Sequence, residues 1–221
     1  MPESTARRRI NWGVLGVEAG AIFLSVLLGF GVAEWRDARD RDQRHADILD
    51  AFALEVADTR DDLVRGGIYH HWLAREVEAG IEDGSVVRFR DAFRIEGMNG
   101  FNSLRLERAA WETATATGDV ALLGFETASA LWRLYNAQAV IDAEQTRLRA
   151  IALETIGTAE GAPASQFVPL LQEFNSLERD LLRLSNAALE AVADERGVAP
   201  PEPIEADVFE RNPFAETSDT R

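Results

Sequence analysis

From Asn11 to Ala33 the chain runs twenty-three residues with a single charge, Glu18, and Trp12 and Trp35 frame the run. No other feature narrows the possible folds as much. A segment this apolar is suited to hydrocarbon, where every backbone N–H and C=O has to be satisfied inside the segment, and a helix does that. At about 1.5 Å rise per residue the two tryptophans stand roughly 35 Å apart, close to a hydrocarbon core of roughly 30 Å with an aromatic ring at each interface. The run predicts a transmembrane helix over 11–35, preceded by a basic tail at 1–10.

Charge divides unevenly around that segment. Residues 1–44 hold seven Arg against six acids, for +1, and residues 45–221 hold sixteen Arg against thirty-two acids, for −16. A domain this acidic repels nucleic acid and anionic lipid surfaces, so no nucleic-acid partner is expected. All 23 basic residues are Arg, which leaves no Lys for Schiff-base or general-base work. The absence of Cys excludes disulfides, thiol chemistry and Cys-based zinc sites. Apolar content of 46% is enough for one ordinary core beyond the membrane segment.

Arg7, Arg8 and Arg9 favour a cytoplasmic N-terminus, although Arg36, Arg39, Arg41 and Arg44 lie as close on the other side. In a bacterium this topology places the segment in the inner membrane and the helical domain in the periplasm. A cleaved signal peptide ending near Gly31-Val32-Ala33 is the alternative. The length of the run and the carboxylate within it favour a retained anchor.

Proline is absent from residues 3–162 and clusters at Pro200, Pro201, Pro203 and Pro213, the pattern of long helices followed by a non-helical tail. Leu49, Phe52, Val56, Thr59 and Leu63 step by three and four, which predicts an a/d seam on a stalk helix. Gly66-Gly67 is a possible interruption, and helical character resumes over 68–80 with Trp72, Leu73 and Val77. Residues 86–95 read as either a short helix or an extended segment. Further helices are predicted over 104–117, ended by Gly118, and over 126–157, with Leu131, Leu134, Ile141 and Leu148 on a stripe that Gln138 and Gln145 make partly polar. A last helix, 166–195, is N-capped by Ser165 and ended by Gly197. It tolerates Pro169 because the first turn needs no intrahelical N–H there. Residues 36–197 thus form a helical stalk and bundle. The Pro-rich acidic tail, 198–221, is expected to be disordered or draped on the surface. The fold class is all-α: one transmembrane helix continuing into a stalk and an elongated antiparallel helical bundle.

Glu18 is costly in a membrane, by roughly 2.5–3.5 kcal/mol at mid-bilayer and less toward an interface. It shares a helix face with Ala21, Ser25 and Gly29, while Gly16 and Gly20 form a GxxxG pair on a neighbouring face. Small residues at such spacing let helices approach closely. This face is therefore expected to pack against a second copy or another integral membrane protein; the rival reading is a protonated or snorkelling carboxylate. His70-His71 lacks the spacing of a helical metal site and reads as a surface or interface pair beside Tyr69 and Trp72. Asp42 precedes His45 by three positions in a charge-rich stretch, which is weak for a metal. Trp111 and Tyr135 suit core packing better than an aromatic ligand pocket. Paired acids such as Asp61-Asp62 read as solvated surface. No phosphate loop, GxSxG elbow or HExxH occurs, so no enzyme activity and no cofactor are expected.

Two patches carry a resemblance. Glu18 in a Gly-containing apolar run closes on Trp35. Then come Ala110-Trp111, Thr117-Gly118, Val120 to Leu123, and Tyr135. Together they resemble a group of uncharacterised bacterial single-pass membrane proteins, although Val17 stands where that group has Gly. The resemblance implies a membrane-anchored helical protein and no particular activity. The expected function is a non-enzymatic scaffold or interaction subunit, assembling through its span and stalk in contact with membrane lipid. The alternative is a periplasmic helical sensory or ligand-binding module.

Overall fold

The computed structural model describes residues 12–157 and 162–214; the side chains of 12–19, 22 and 155–157 lie outside the description. The described residues are all-helical, with no strand among them and one isolated antiparallel bridge, Arg88–Pro163. The chain divides into two compact units, Met1–His45 and Ala46–Arg221.

The first unit contains the beginning of α1, which spans Trp12–Glu82. Among the described residues no helix is long and apolar enough to cross a membrane, so they lend no support to the span expected over 11–35. That statement does not extend to the side chains of 12–19 and 22, which supply much of the apolar run. Beyond Trp35 the helix turns strongly polar, and Arg41 and Arg44 donate to the carbonyls of Asp37 and Asp40 one turn back.

The second unit is a helical bundle built on α1 from Ala46 onward, α3 (Phe125–Gly157) and α4 (Val168–Arg196), with the short α2 (Ala109–Thr117) beside them. The predicted seam is buried: Leu49, Phe52, Val56, Thr59 and Leu63 are each no more than 2% exposed. The four apolar ones join Leu131, Leu134, Ile141, Leu181, Leu182 and Leu189 in one core. The seam is packed inside the chain's own bundle, against α3 and α4.

Contacts along the bundle fix the helix directions. Phe52 meets Tyr135 near the Ala46 end of the bundle portion of α1, while Leu73 and Val77 share a cavity with Leu148 and Ala152 near its other end, so α1 and α3 run the same way. Arg196 pairs with Asp50 at 2.5 Å, and Val77 faces the same cavity as Leu171, so α4 runs opposite to α1. The Thr127 hydroxyl donates to the Ala191 carbonyl, which sets α4 antiparallel to α3 as well. The expectation of a wholly antiparallel bundle therefore fails for α1 and α3. The long connection between them, 83–124, lets the chain return to its starting end before α3 begins.

Gly66-Gly67 does not interrupt α1. A Cβ at Gly66 would strike Leu104 and one at Gly67 would strike the Phe209 ring, so both glycines serve close approach. Residues 86–95 contain a 3-10 helix, Phe89–Arg94, opened by the Asp91 carboxylate accepting from the backbone N–H of Arg88 at 2.8 Å. The stretch before α2 is not helical: the Leu104 N–H is held by Gln145 Oε1 at 2.6 Å, and α2 starts five residues later than the spacing predicts. Ser165 lies in a 3-10 turn, Ala164–Gln166, and does not cap α4, since pairing of Val87 and Phe89 with residues 162–164 holds that segment first. Gly118 and Gly197 end their helices at φ 80° and 67°, as left-handed positions require. The tail also departs from expectation: Ala206–Glu210 is a 3-10 helix, and Val208 and Phe209 enter the core.

Candidate functional site: a buried polar cluster beside an apolar cavity

The seventh turn of the bundle portion of α1 brings His70 inward, where it is wholly buried between Phe101, stacked at 5.1 Å, and the edge of Phe174. Its Nδ1 lies 2.6 Å from Glu178 Oε1 on α4, and its Nε2 lies 2.5 Å from the Asn102 carbonyl oxygen. Both ring nitrogens therefore face acceptors. A neutral imidazole has one N–H, so satisfying both contacts requires a second proton, carried either by the ring or by Glu178. The pair holds one shared proton and is neutral overall, which is how a carboxylate and an imidazole coexist without water.

His71 points to another partner set. Arg179 Nη2 donates to its Nδ1 at 3.3 Å, so the ring is neutral and its remaining proton sits on Nε2. That Nε2 is 3.8 Å from Glu178 Oε2, too long for a hydrogen bond. Phe209 stacks on the face of the ring at 4.8 Å, nearly parallel. Burial, and next the Arg179 guanidinium, push the His71 pKa down to about 4, against the pull of Glu210. The histidine pair, read from sequence as surface or interface, is instead interior. Glu178 and Arg179 were not singled out by sequence, because an acid in a domain with so many acids carries no positional signal.

A second buried carboxylate, Glu55, accepts from the Tyr135 hydroxyl at 2.5 Å and from the Ala110 N–H at 2.7 Å. The latter is an otherwise unpaired donor in the first turn of α2, so Glu55 caps that helix from another element. Tyr135 stacks on Trp111 at 5.0 Å, which bears out the core reading of both aromatics. Burial and then Glu55 raise the Tyr135 pKa far above that of an ordinary phenol.

Next to the His70 stack lies an apolar cavity of about 80 Å³ whose walls come from all three long helices and the connection, among them Val77, Phe89, Phe93, Met98, Phe101 and Leu148. Phe101 belongs to both places: one face covers His70 and the ring also lines the cavity. The lining carries almost no polar surface, so the cavity suits a hydrocarbon group better than water.

The membrane-face residues predicted from sequence are only partly described. The side chains of Trp12, Gly16 and Glu18 lie outside the description. Gly20, Ala21, Ser25 and Gly29 are exposed on α1, and a Cβ at Gly20 or Gly29 would meet open space. Ser25 donates to the Ala21 carbonyl at 2.7 Å, so its hydroxyl is already satisfied within the helix. Phe23, Leu24, Val26, Leu27, Leu28, Phe30, Val32 and Trp35 are all at least half exposed. Arg39 sits over the Trp35 ring at 5.7 Å. Among the described residues no group of three or more His, Cys, Asp or Glu side chains is placed to hold a metal. Comparison with protein-family models, with curated proteins and with solved structures finds no match to this chain.

Proposed function

We propose that the chain is a non-enzymatic, membrane-anchored interaction subunit, seated in a bacterial inner membrane by residues 11–35 with its N-terminus cytoplasmic and its helical bundle periplasmic. The observation that carries this reading is the run of exposed large apolar side chains from Phe23 to Trp35. Successive residues on a helix point about 100° apart, so these side chains surround it. A helix apolar all round is stable only in lipid or packed by partners. The sequence-level resemblance to bacterial single-pass membrane proteins agrees with lipid. The finer reading is that Gly16, Glu18, Gly20, Ala21, Ser25 and Gly29 contact a second copy or another integral membrane protein.

The test is fractionation of the intact chain followed by affinity purification from native membrane and mass spectrometry. The reading expects resistance to extraction by alkaline carbonate and a stoichiometric membrane-protein partner or a homo-oligomer. Release into the soluble fraction would remove the anchor. Retention in the membrane without any partner would remove the interaction role. Substituting Ser25 and Gly29 by Leu should break the complex while leaving membrane association unchanged.

A second reading, a helical ligand-binding module, is favoured by the apolar cavity between α1, α3 and α4. Co-purification of an apolar small molecule in place of a protein partner would select it.

A further inference from the structure

Residues 202–214 run over α4 and α1 and cover His71. Asn186 on α4 holds the segment by its backbone, donating to the Ile204 carbonyl at 2.8 Å and accepting from the Ile204 N–H at 3.3 Å. Arg60 on α1 donates to the Glu202 carbonyl. Phe209 is the peg: its ring is fully buried, lies over Gly67 where any Cβ would collide with it, and stacks flat on His71. Phe214 is a second aromatic contact, set edge-on to Trp72 at 4.9 Å and over Gly97. Between them Glu210 reaches Arg75 at 3.1 Å and Arg179 at 3.2 Å. These ion pairs are exposed and contribute little. The seating of Phe209 on a neutral His71 is what closes the segment.

We propose that residues 202–214 form an acid-released latch, closed while His71 is neutral and opened when His71 takes a proton. Three features of the geometry carry this. The Arg179 guanidinium donates to His71 Nδ1, an acceptor that protonation abolishes, leaving two cations 3.3 Å apart. Arg179 is also one of the two arginines on Glu210, so displacing it removes an exposed pair beside Phe209 as well, a small addition to the first effect. Phe209 seals His71 from water, and a charged imidazole in that position gains hydration only if the ring lifts.

The charged and titratable groups facing His71 come from each element around it: His70 on α1, Glu178 and Arg179 on α4, and Glu210 on the latch. Glu210 and the backbone of Asn175 favour the charged ring. Burial, Arg179 and His70 oppose it and win, which sets its pKa at about 4 in the closed state. Once uncovered, His71 returns toward the ordinary value of about 6.5. A base with a depressed pKa in the closed state makes closure most favourable above the open-state value. Closure then weakens as pH falls from about 6.5 to about 4 and changes no further below that.

The experiment is hydrogen exchange on the intact chain between pH 7 and pH 4, read as protection factors corrected for the intrinsic rate. Peptides covering 202–211 are compared with peptides from the middle of α3. The latch should lose about 100-fold in protection across that range, the factor the two pKa values give between pH 7 and pH 4, while α3 stays protected. His71→Phe, which keeps a ring against Phe209, and His71→Asn, which keeps an acceptor for Arg179, should each make latch protection independent of pH. Parallel loss of protection in α3 would mean general acid unfolding and would overturn the proposal. So would latch protection that does not change with pH, or a pH response that survives in both variants.

Discussion

Replacing Glu178 tests the shared-proton pairing with His70. In Glu178→Gln the carboxamide can donate to His70 Nδ1, at the present separation of 2.6 Å, while the single imidazole proton sits on Nε2 and donates to the Asn102 carbonyl at 2.5 Å. Both contacts are then satisfied by neutral groups, and the cost should stay within about 1 kcal/mol. In Glu178→Ala the fully buried ring loses its partner and a void opens beside it. The expected loss is about 3–5 kcal/mol, the range for removing one member of a buried pair. The combination His70→Phe with Glu178→Leu removes both members, retains a ring between Phe101 and Phe174, and leaves mainly the Asn102 carbonyl unpaired. It should cost less than Glu178→Ala alone, with a coupling of about 2 kcal/mol or more. Urea unfolding at pH 7, followed by far-UV ellipticity and extrapolated linearly, measures each value. A Gln variant as unstable as the Ala variant would refute the proton count. A double variant whose cost is the sum of the singles would refute the pairing itself.

Three further outcomes are expected. Tyr135→Phe should cost about 1.5–3 kcal/mol by leaving Glu55 Oε1 without its donor. In the parent, the raised phenol pKa makes stability constant below about pH 10 and lost as pH rises beyond it, so alkaline unfolding curves should differ in slope between parent and variant. Gly67→Ala should unseat Phe209, weakening latch closure by about 2–3 kcal/mol; tryptic cleavage after Arg211 should accelerate while helix content is unchanged. Filling the cavity with Ala152→Leu should stabilise the bundle by about 1–2 kcal/mol, near the cost of about 2 kcal/mol that 80 Å³ of empty volume implies, and thermal unfolding checks the sign.

Periodicity made the helical class, the α1 seam and the α3 stripe legible, because step sizes of three and four follow directly from helix geometry. Leu49, Phe52, Val56 and Leu63 are buried as their spacing requires. What spacing leaves open is the partner. A seam that another chain could cover is covered here by α3 and α4, and the same pattern fits both cases. Pro content misled at the tail: Pro200, Pro201 and Pro203 do prevent helix, yet they leave the chain free to run along the surface and insert Val208 and Phe209. The His70–Glu178 contact joins residues 108 positions apart, and nothing local marks it. Gly66-Gly67 was visible as a pair, but its meaning depends on Leu104 and Phe209, which only the tertiary structure brings there.

The parallel arrangement of α1 and α3 has a consequence for how the bundle assembles. Helices α3 and α4 are neighbours in sequence and antiparallel, so they can dock after closing only a short loop. Helix α1 can find its place beside α3 only after the much longer connection through α2 has been closed, which carries a greater entropic cost. The α3–α4 hairpin is thus the natural nucleus, and α1 joins a surface already formed. Truncations at Leu181 or Leu131 should slow folding, whereas truncation at Leu63 should mainly speed unfolding.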